Sequence, residues 1–368
     1  MQYIISNIQQ KRDFISSVYN HIKNTLPLVK TEYINLDTDI IRLSCYTDEI
    51  LPALTQQLPL TLSHSEKNHT AEIIIFKETS PKNFLAPIAD FFNLKKNMRL
   101  HLEYILNKNF YLTISKTNKV NDIFTIIDEQ SGTVHIWDEE NRIYYYGLRD
   151  FSPEELVKIG HLFVQQIYRI ISTSHSRHLV HGAVVGINNT GALICARGGR
   201  GKSTLTVNAL TQGFDYVSDD YLILDKEQDN LFASPIYSII TLSPEMYQKM
   251  QPDFKGKYIC PNARFNKYII NIAAYHHQFK TRYQIKVCLF PNIADIETPF
   301  ITPINKGKAI TQLIHSTIIQ TNDTYHTQTI KKLLDFLTPF EYYQINLCPD
   351  INKNTQCLKD FLSTYKGT

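Results

Sequence analysis

The chain has 368 residues, 43% of them hydrophobic and 20% charged, with a formal net charge of +3. That length accommodates two domains, and that balance of apolar and charged residues belongs to a globular protein. So mild a positive charge, with no dense block of lysine and arginine, argues against a nucleic-acid partner, and no apolar run approaches bilayer-spanning length, which argues against a membrane one.

Six cysteines and thirteen histidines are scattered without ligand or framework spacing. His276-His277 is an isolated pair. The thiols therefore read as reduced, in a cytoplasmic protein that needs neither zinc nor disulfides. Met1-Gln-Tyr-Ile-Ile5 lacks a basic segment followed by an apolar core, so no export signal is expected.

Residues 1–150 read as an α+β module. Phe14, Val18 and Ile22 recur at helical spacing, and Ala71 to Phe76 is rich in β-formers. Phe110 to Ile114, Ile123 to Ile127, Val134 to Trp137 and Ile143 to Tyr146 follow as strands joined by turn-forming residues, an antiparallel meander. Tyr144-Tyr-Tyr146 reads as the two sides of one strand, one buried and one exposed, in preference to a peptide-binding face. Ser152-Pro153-Glu154-Glu155 has the residues of a helix N-cap, first turn and capping box. The stripe Leu156, Ile159, Leu162, Phe163, Ile167, Ile170 and Ile171 then predicts a long amphipathic helix opening a second domain, 151–368.

In that domain Ile187-Asn-Asn-Thr-Gly191 predicts a hairpin turn between strands Leu179–Val185 and Ala192–Cys195. Next comes Ala196-Arg-Gly-Gly-Arg-Gly-Lys-Ser-Thr204, a glycine-rich loop leading into a helix from Ser203 to about Gln212. Strand, glycine loop, lysine, hydroxyl and helix in this order is the context of a phosphate-binding P-loop. Gly198, Gly199 and Gly201 let backbone N–H groups close around a polyphosphate, with Arg200 and Thr204 in the same loop and helix start. Lys202 supplies a point charge for the β- and γ-phosphates, and the Ser203 hydroxyl suits Mg2+. The usual first glycine is replaced by Ala196.

Gly213 stands where a helix C-cap belongs, and the strand Phe214–Val217 runs into Ser218-Asp219-Asp220. Adjacent carboxylates at a strand end point to opposite sides, so one can face a metal and the other an incoming hydroxyl. Further on, Leu222 to Asp225 and Phe232 to Leu242 are strand-like, and Ser243-Pro244-Glu245 starts a helix. Gln251 to Asn262 reads as a lid loop, with Arg264 and Lys267 after it as solvated charges that rival Arg197 and Arg200 for contact with a transferring phosphoryl group. Tyr283–Phe290 and Glu341–Leu347 are strands; Lys308–His315, Thr329–Leu337 and Asn354–Tyr365 are helices.

With His181-Gly182, the Gly-Lys-Ser loop and Asp219-Asp220 in place, residues 150–368 resemble the kinase domain of the bacterial HPr kinase/phosphorylase family. They are similar above all to its relatives that phosphorylate serine on precursor peptides of ribosomally made natural products. The intervals from His181 to Lys202 and from Lys202 to Asp219 agree with that family's, whereas the glutamate and arginine-glycine signature of the HPr enzyme itself does not follow Asp220. The resemblance implies an α/β fold, an HPr-kinase-like P-loop domain behind an N-terminal α+β domain. It implies an ATP- and Mg2+-dependent kinase acting on a serine or threonine of a peptide or protein. Asp219 would accept the substrate's proton, His181 would sit beside Asp219 and tune it, and Asp220 would help Ser203 hold Mg2+. A small-molecule hydroxyl acceptor and a nucleotide switch without an acceptor remain alternatives, and a homo-oligomer is left open.

Overall fold

Runs of apolar and β-branched residues form twenty strands among the described residues, and two helical layers cover the largest sheet of the second unit. The computed structural model describes residues 8–36, 39–58, 61–63, 68–77, 112–114, 123–128, 133–138, 141–148, 162–172, 174, 176–196, 198–250, 257–259, 267–272, 277–321, 326–337 and 340–365. It is a mixed α/β chain with several sheets, in two compact units: Met1–Thr55 with Leu62–Ile170, and Gln56–Thr61 with Ile171–Thr368.

The first unit contains α1 (Ile8–Thr25), β1 (Lys30–Leu36), β2 (Asp39–Cys45), most of α2 (Leu51–Gln57), β3 (Leu62–Ser63), β4 (Ala71–Lys77), β5 (Leu112–Ile114), β6 (Ile123–Asp128), β7 (Thr133–Asp138) and β8 (Ile143–Leu148). Its sheet runs β3-β1-β2-β4-β8-β7-β6-β5; β5 to β8 form the expected meander, and β4 joins β2 and β8 in parallel. Tyr144, Tyr145 and Tyr146 are all buried, because β8 is a central strand; the Tyr146 ring meets Phe163 edge-on at 4.9 Å. The expected exposed tyrosine side is therefore absent. Of the helix expected from Ser152, the capping residues lie outside the described residues, and α3 (Val164–Ser172) is its described part.

The second unit continues with β9 (Arg177–His181), β10 (Ala183–Ile187), β11 (Thr190–Ile194), α4 (Lys202–Thr211), β12 (Asp215–Ser218), β13 (Tyr221–Glu227), β14 (Asn230–Pro235), β15 (Ile239–Leu242), α5 (Pro244–Met250), β16 (Lys257–Ile259), β17 (Lys267–Asn271), β18 (Tyr283–Ile293), β19 (Phe300–Pro303), α6 (Lys306–Thr321), α7 (His326–Leu337), β20 (Glu341–Leu347) and α8 (Ile351–Thr364). Its main sheet runs β12-β10-β11-β18-β14-β13-β9, with β20 between β18 and β19. β11, β18 and β20 are mutually parallel; the rest is antiparallel. β15, β17 and β16 form a small separate sheet.

Successive residues of the main sheet serve opposite cores. Ala183, Val185, Ala192 and Ile194 pack with Leu205, Leu210, Leu358 and Leu362 of α4 and α8. Val184, Leu193, Cys195 and Val217 pack with Ala309, Leu313, Leu333 and Phe336 of α6 and α7. Each such buried aliphatic side chain contributes about 1.5–3 kcal/mol of transfer free energy, so both helical layers are held firmly.

Two turns fix how this sheet enters the site. Asn188 and Asn189 have φ of 51° and 62°, the left-handed pair that a tight hairpin needs and asparagine tolerates. The strand expected over Leu179–Val185 is instead broken at Gly182, leaving His181 at the end of β9 and Ala183 at the start of β10.

Candidate functional site

The break at Gly182 has a counterpart across the sheet. Val184 pairs with Ser218 on one side and His181 with Tyr221 on the other, so Asp219 and Asp220 lie opposite Ala183 and Gly182. Here the ladder opens: the Gly182 N–H still donates to the Asp220 carbonyl at 2.7 Å, while the two acidic residues belong to neither β12 nor β13. A register shift between Val184 and Val185 adds an irregularity of the kind that re-aims side chains beside functional sites.

The glycine loop approaches from β11. Cys195 and Ala196 are buried, so the alanine in place of the usual first glycine sits inside the protein. Gly198, Gly199 and Arg200 are exposed, and a β-carbon on Gly198 or Gly199 would meet nothing within 4 Å. Gly199 and Gly201 have φ of 78° and 86°, where a side chain is strained. At Gly201 a β-carbon would also come within 2.8 Å of Leu347 Cδ1. The loop is thus laid against the last residue of β20, next to Ile293 at the end of β18, where open α/β sheets bind their ligands. Gly201 caps α4 without a side-chain hydrogen bond, leaving the first N–H groups of that helix to a ligand or water.

Lys202 and Ser203 connect loop to acids. Lys202 is 8% exposed; its Nζ donates to the Asp219 carbonyl and lies 3.5 Å from Asp219 Oδ1 and 4.0 Å from Asp220 Oδ1. Ser203, the next residue, stands close enough to the Asp219 carboxyl to lower its pKa. Thr204 is half-buried in the same helical turn, and Thr206 ties back to the Lys202 carbonyl at 2.8 Å. Burial pushes the Asp219 carboxyl above the ordinary aspartate value; the Lys202 charge opposes this, the Asp220 charge adds to it, and hydrogen bonds from Ser203 and Lys202 pull it back down. Burial likewise pushes the Cys195 thiol up to about 12, which leaves it inert beside the loop.

His181 belongs to the other acid. Its Nε2 is 2.5 Å from Asp220 Oδ1, whereas the expected partner was Asp219. The two acids sit in the gap between β12 and β13, where Asp219 lies nearer α4 and Asp220 turns toward the end of β9. Two residues that sequence reading missed hold this histidine. The Ser316 carbonyl accepts from His181 Nδ1 at 3.1 Å, and the Thr317 hydroxyl oxygen accepts from the His181 backbone N–H at 3.3 Å. The sequence sign of either is slight, a Ser-Thr pair between the apolar residues Ile314 and Ile318 of α6. Tyr221 adds its ring at 5.3 Å from the imidazole.

Of the rival basic residues, Arg200 is exposed; Arg197, Arg264 and most of the expected lid, Gln251 to Asn262, lie outside the described residues, as do His276 and Cys260. Among the described residues no group of three or more His, Cys, Asp or Glu forms an all-protein metal cage, and Cys45, Cys195, Cys288, Cys348 and Cys357 are free thiols. The Ser203 hydroxyl and the Asp219 and Asp220 carboxylates are nevertheless hard oxygens gathered beside the loop, which fits magnesium shared with water and phosphate oxygens. No helix among the described residues is long and apolar enough to cross a membrane.

No family model and no curated protein matches the chain. Among solved structures it is similar to the Hpr(Ser) kinase/phosphatase from Coxiella burnetii, at 12% identity and a TM-score of 0.31, over 52% of this chain and 99% of that one.

Proposed function

We propose that the chain is an ATP-dependent phosphotransferase that moves the γ-phosphoryl group to a hydroxyl, on a serine or threonine of a peptide or protein. The observation that carries this reading is the convergence of Lys202, Ser203, Asp219 and Asp220 beside a left-handed glycine loop at the ends of parallel strands. Phosphoryl transfer needs positioning and charge more than covalent work from the protein, and this site is built of those two things. The loop N–H groups and Lys202 would bind the phosphates; Lys202, now bonded to the acids, would exchange them for phosphate oxygens. Ser203 and one acid of the pair would hold Mg2+, which when bound neutralises charge on the phosphate oxygens, and the other acid would face the acceptor.

The acceptor class comes from the motif resemblance alone. His181-Gly182, Gly-Lys-Ser and Asp219-Asp220, without the signature of the HPr enzyme, favour a precursor peptide of a ribosomally made natural product. A two-unit organisation serving catalysis in 151–368 and acceptor binding or regulation in 1–150, a cytoplasmic site of action and a homo-oligomer belong to the same proposal.

The test uses γ-labelled ATP, magnesium, the full chain and a library of serine- and threonine-containing peptides. Label and a phosphate mass increase on peptides, both lost in Lys202→Ala, support the reading. Label on a small hydroxyl compound would change the acceptor class, and ATP binding with slow hydrolysis but no labelled acceptor would favour a nucleotide switch.

A further inference from the structure

We propose that the two adjacent acids divide the work: Asp219 serves the metal side with Ser203, and Asp220, positioned by His181, takes the acceptor's proton. This rests on the phosphotransferase reading and reverses the roles that the motif resemblance implies for the two residues.

Partners and exposure separate the acids. Asp219 lies 3.5 Å from Lys202 Nζ, has its carbonyl occupied by the same lysine, and stands beside Ser203. These are the residues that face phosphate in a glycine-loop site. Its side chain is 2% exposed. The Asp220 side chain is 23% exposed and sits farther from Lys202, at 4.0 Å. A general base must come within hydrogen-bond reach of the proton it takes, and of the two acids Asp220 is the accessible one.

His181 is built to aim that carboxylate. The imidazole is held between two oxygens, the Ser316 carbonyl 3.1 Å from Nδ1 and Asp220 Oδ1 2.5 Å from Nε2, so it braces that carboxylate with its own orientation fixed from behind. Thr317 holds its main chain and Tyr221 its face. The Gly182 N–H fixes the Asp220 carbonyl at 2.7 Å, tying this residue to β9 while Asp219 is tied to α4. His181 is thus a positioning residue.

The step balances without a further reactant. The acceptor O–H gives its proton to the Asp220 carboxylate, and its oxygen forms a bond to the γ-phosphorus. The bond from that phosphorus to the β–γ bridging oxygen breaks, and its electron pair leaves with ADP.

Isothermal titration of ATP into the full chain, with magnesium and with chelator, separates the two roles; ADP release to water is the second readout. Magnesium should tighten ATP binding in the parent and in Asp220→Asn, and that gain should be lost in Asp219→Asn and in Ser203→Ala. Asp220→Asn should bind magnesium–ATP as the parent does and lose about 10²–10⁴-fold in ADP release, the range of a positioned base. His181→Ala should share that loss with nucleotide binding intact, and His181→Gln, which keeps an N–H donor, should recover part of it. Loss of the magnesium gain in Asp220→Asn with its retention in Asp219→Asn would overturn the division alone. A parent protein that binds no ATP under either condition would overturn the phosphotransferase reading and the division together.

Discussion

Two carboxylates, one in each unit, show how differently a sheet can hold a buried acid. Asp39 in β2 accepts from Thr70 Oγ1 at 2.9 Å and from Arg142 Nη2 at 3.0 Å, beside the β1–β2 hairpin where Leu36 pairs with Asp39 in an unbroken ladder. Asp219 lies where the ladder between β9–β10 and β12–β13 opens, with a second carboxylate next to it and Lys202 as its cation. The first acid has its charge matched within an intact register, the mark of a structural ion pair. The second is buried beside a like charge, and such an arrangement persists where a surrounding fold enforces it for a purpose.

The largest expected effect bears on the backbone that frames the second acid. Gly201→Ala would force a methyl group into Leu347 at a φ of 86°, and the left-handed geometry alone costs about 1–2 kcal/mol. We expect a destabilised second unit and weakened ATP binding by titration, whereas Gly198→Ala, which meets nothing within 4 Å, should change stability little. Equal behaviour of the two variants would remove the strained loop from the picture.

A smaller effect of opposite sign belongs to Asp219. Its carboxyl is raised from 3.8, so the folded state holds the proton more tightly than the unfolded chain. The sign follows: this group's stabilisation is complete below the unfolded value and is lost as pH rises through the raised folded one. Asp219→Asn should therefore stabilise the nucleotide-free protein at neutral pH, by roughly 2–4 °C in Tm for each kcal/mol relieved in a domain this size. The gain should vanish toward pH 3. A lower Tm at neutral pH would show that the carboxylate is comfortable where it sits.

The smallest effect sharpens the contrast from the other side. Arg142 is a third exposed, so Arg142→Ala should cost less than about 1 kcal/mol in denaturant unfolding and leave ATP turnover unchanged. A change in turnover would mean that the Asp39 pair is more than structural.

Local chemistry was legible in the sequence and long-range pairing was not. Glycine, asparagine and the serine-proline pair announced the Asn188–Asn189 hairpin, the positive φ of Gly213 after α4, and the start of α5, where Ser243 Oγ accepts from the Met246 N–H. Alternating apolar residues announced β6 to β8 and β20 within two residues at each end. The break at Gly182 was hidden because Leu179 to Val185 reads as continuous apolar strand, and only the opposing acids make its interruption useful. Which acid lies nearer Lys202 and which meets His181 depends on how the chain turns between β12 and β13, a tertiary fact that two adjacent identical letters cannot carry. The same holds for Ser316 and Thr317, more than a hundred positions from His181 yet in hydrogen-bond contact with it.

The most direct measurement of the central claim is a titration of ATP into the full chain and into Lys202→Ala, each with and without magnesium. Phosphate binding at the glycine loop predicts saturable, magnesium-enhanced binding in the parent and its loss in the variant, with both proteins equally folded. ATP binding that is the same in Lys202→Ala as in the parent, or absent from both, would contradict it.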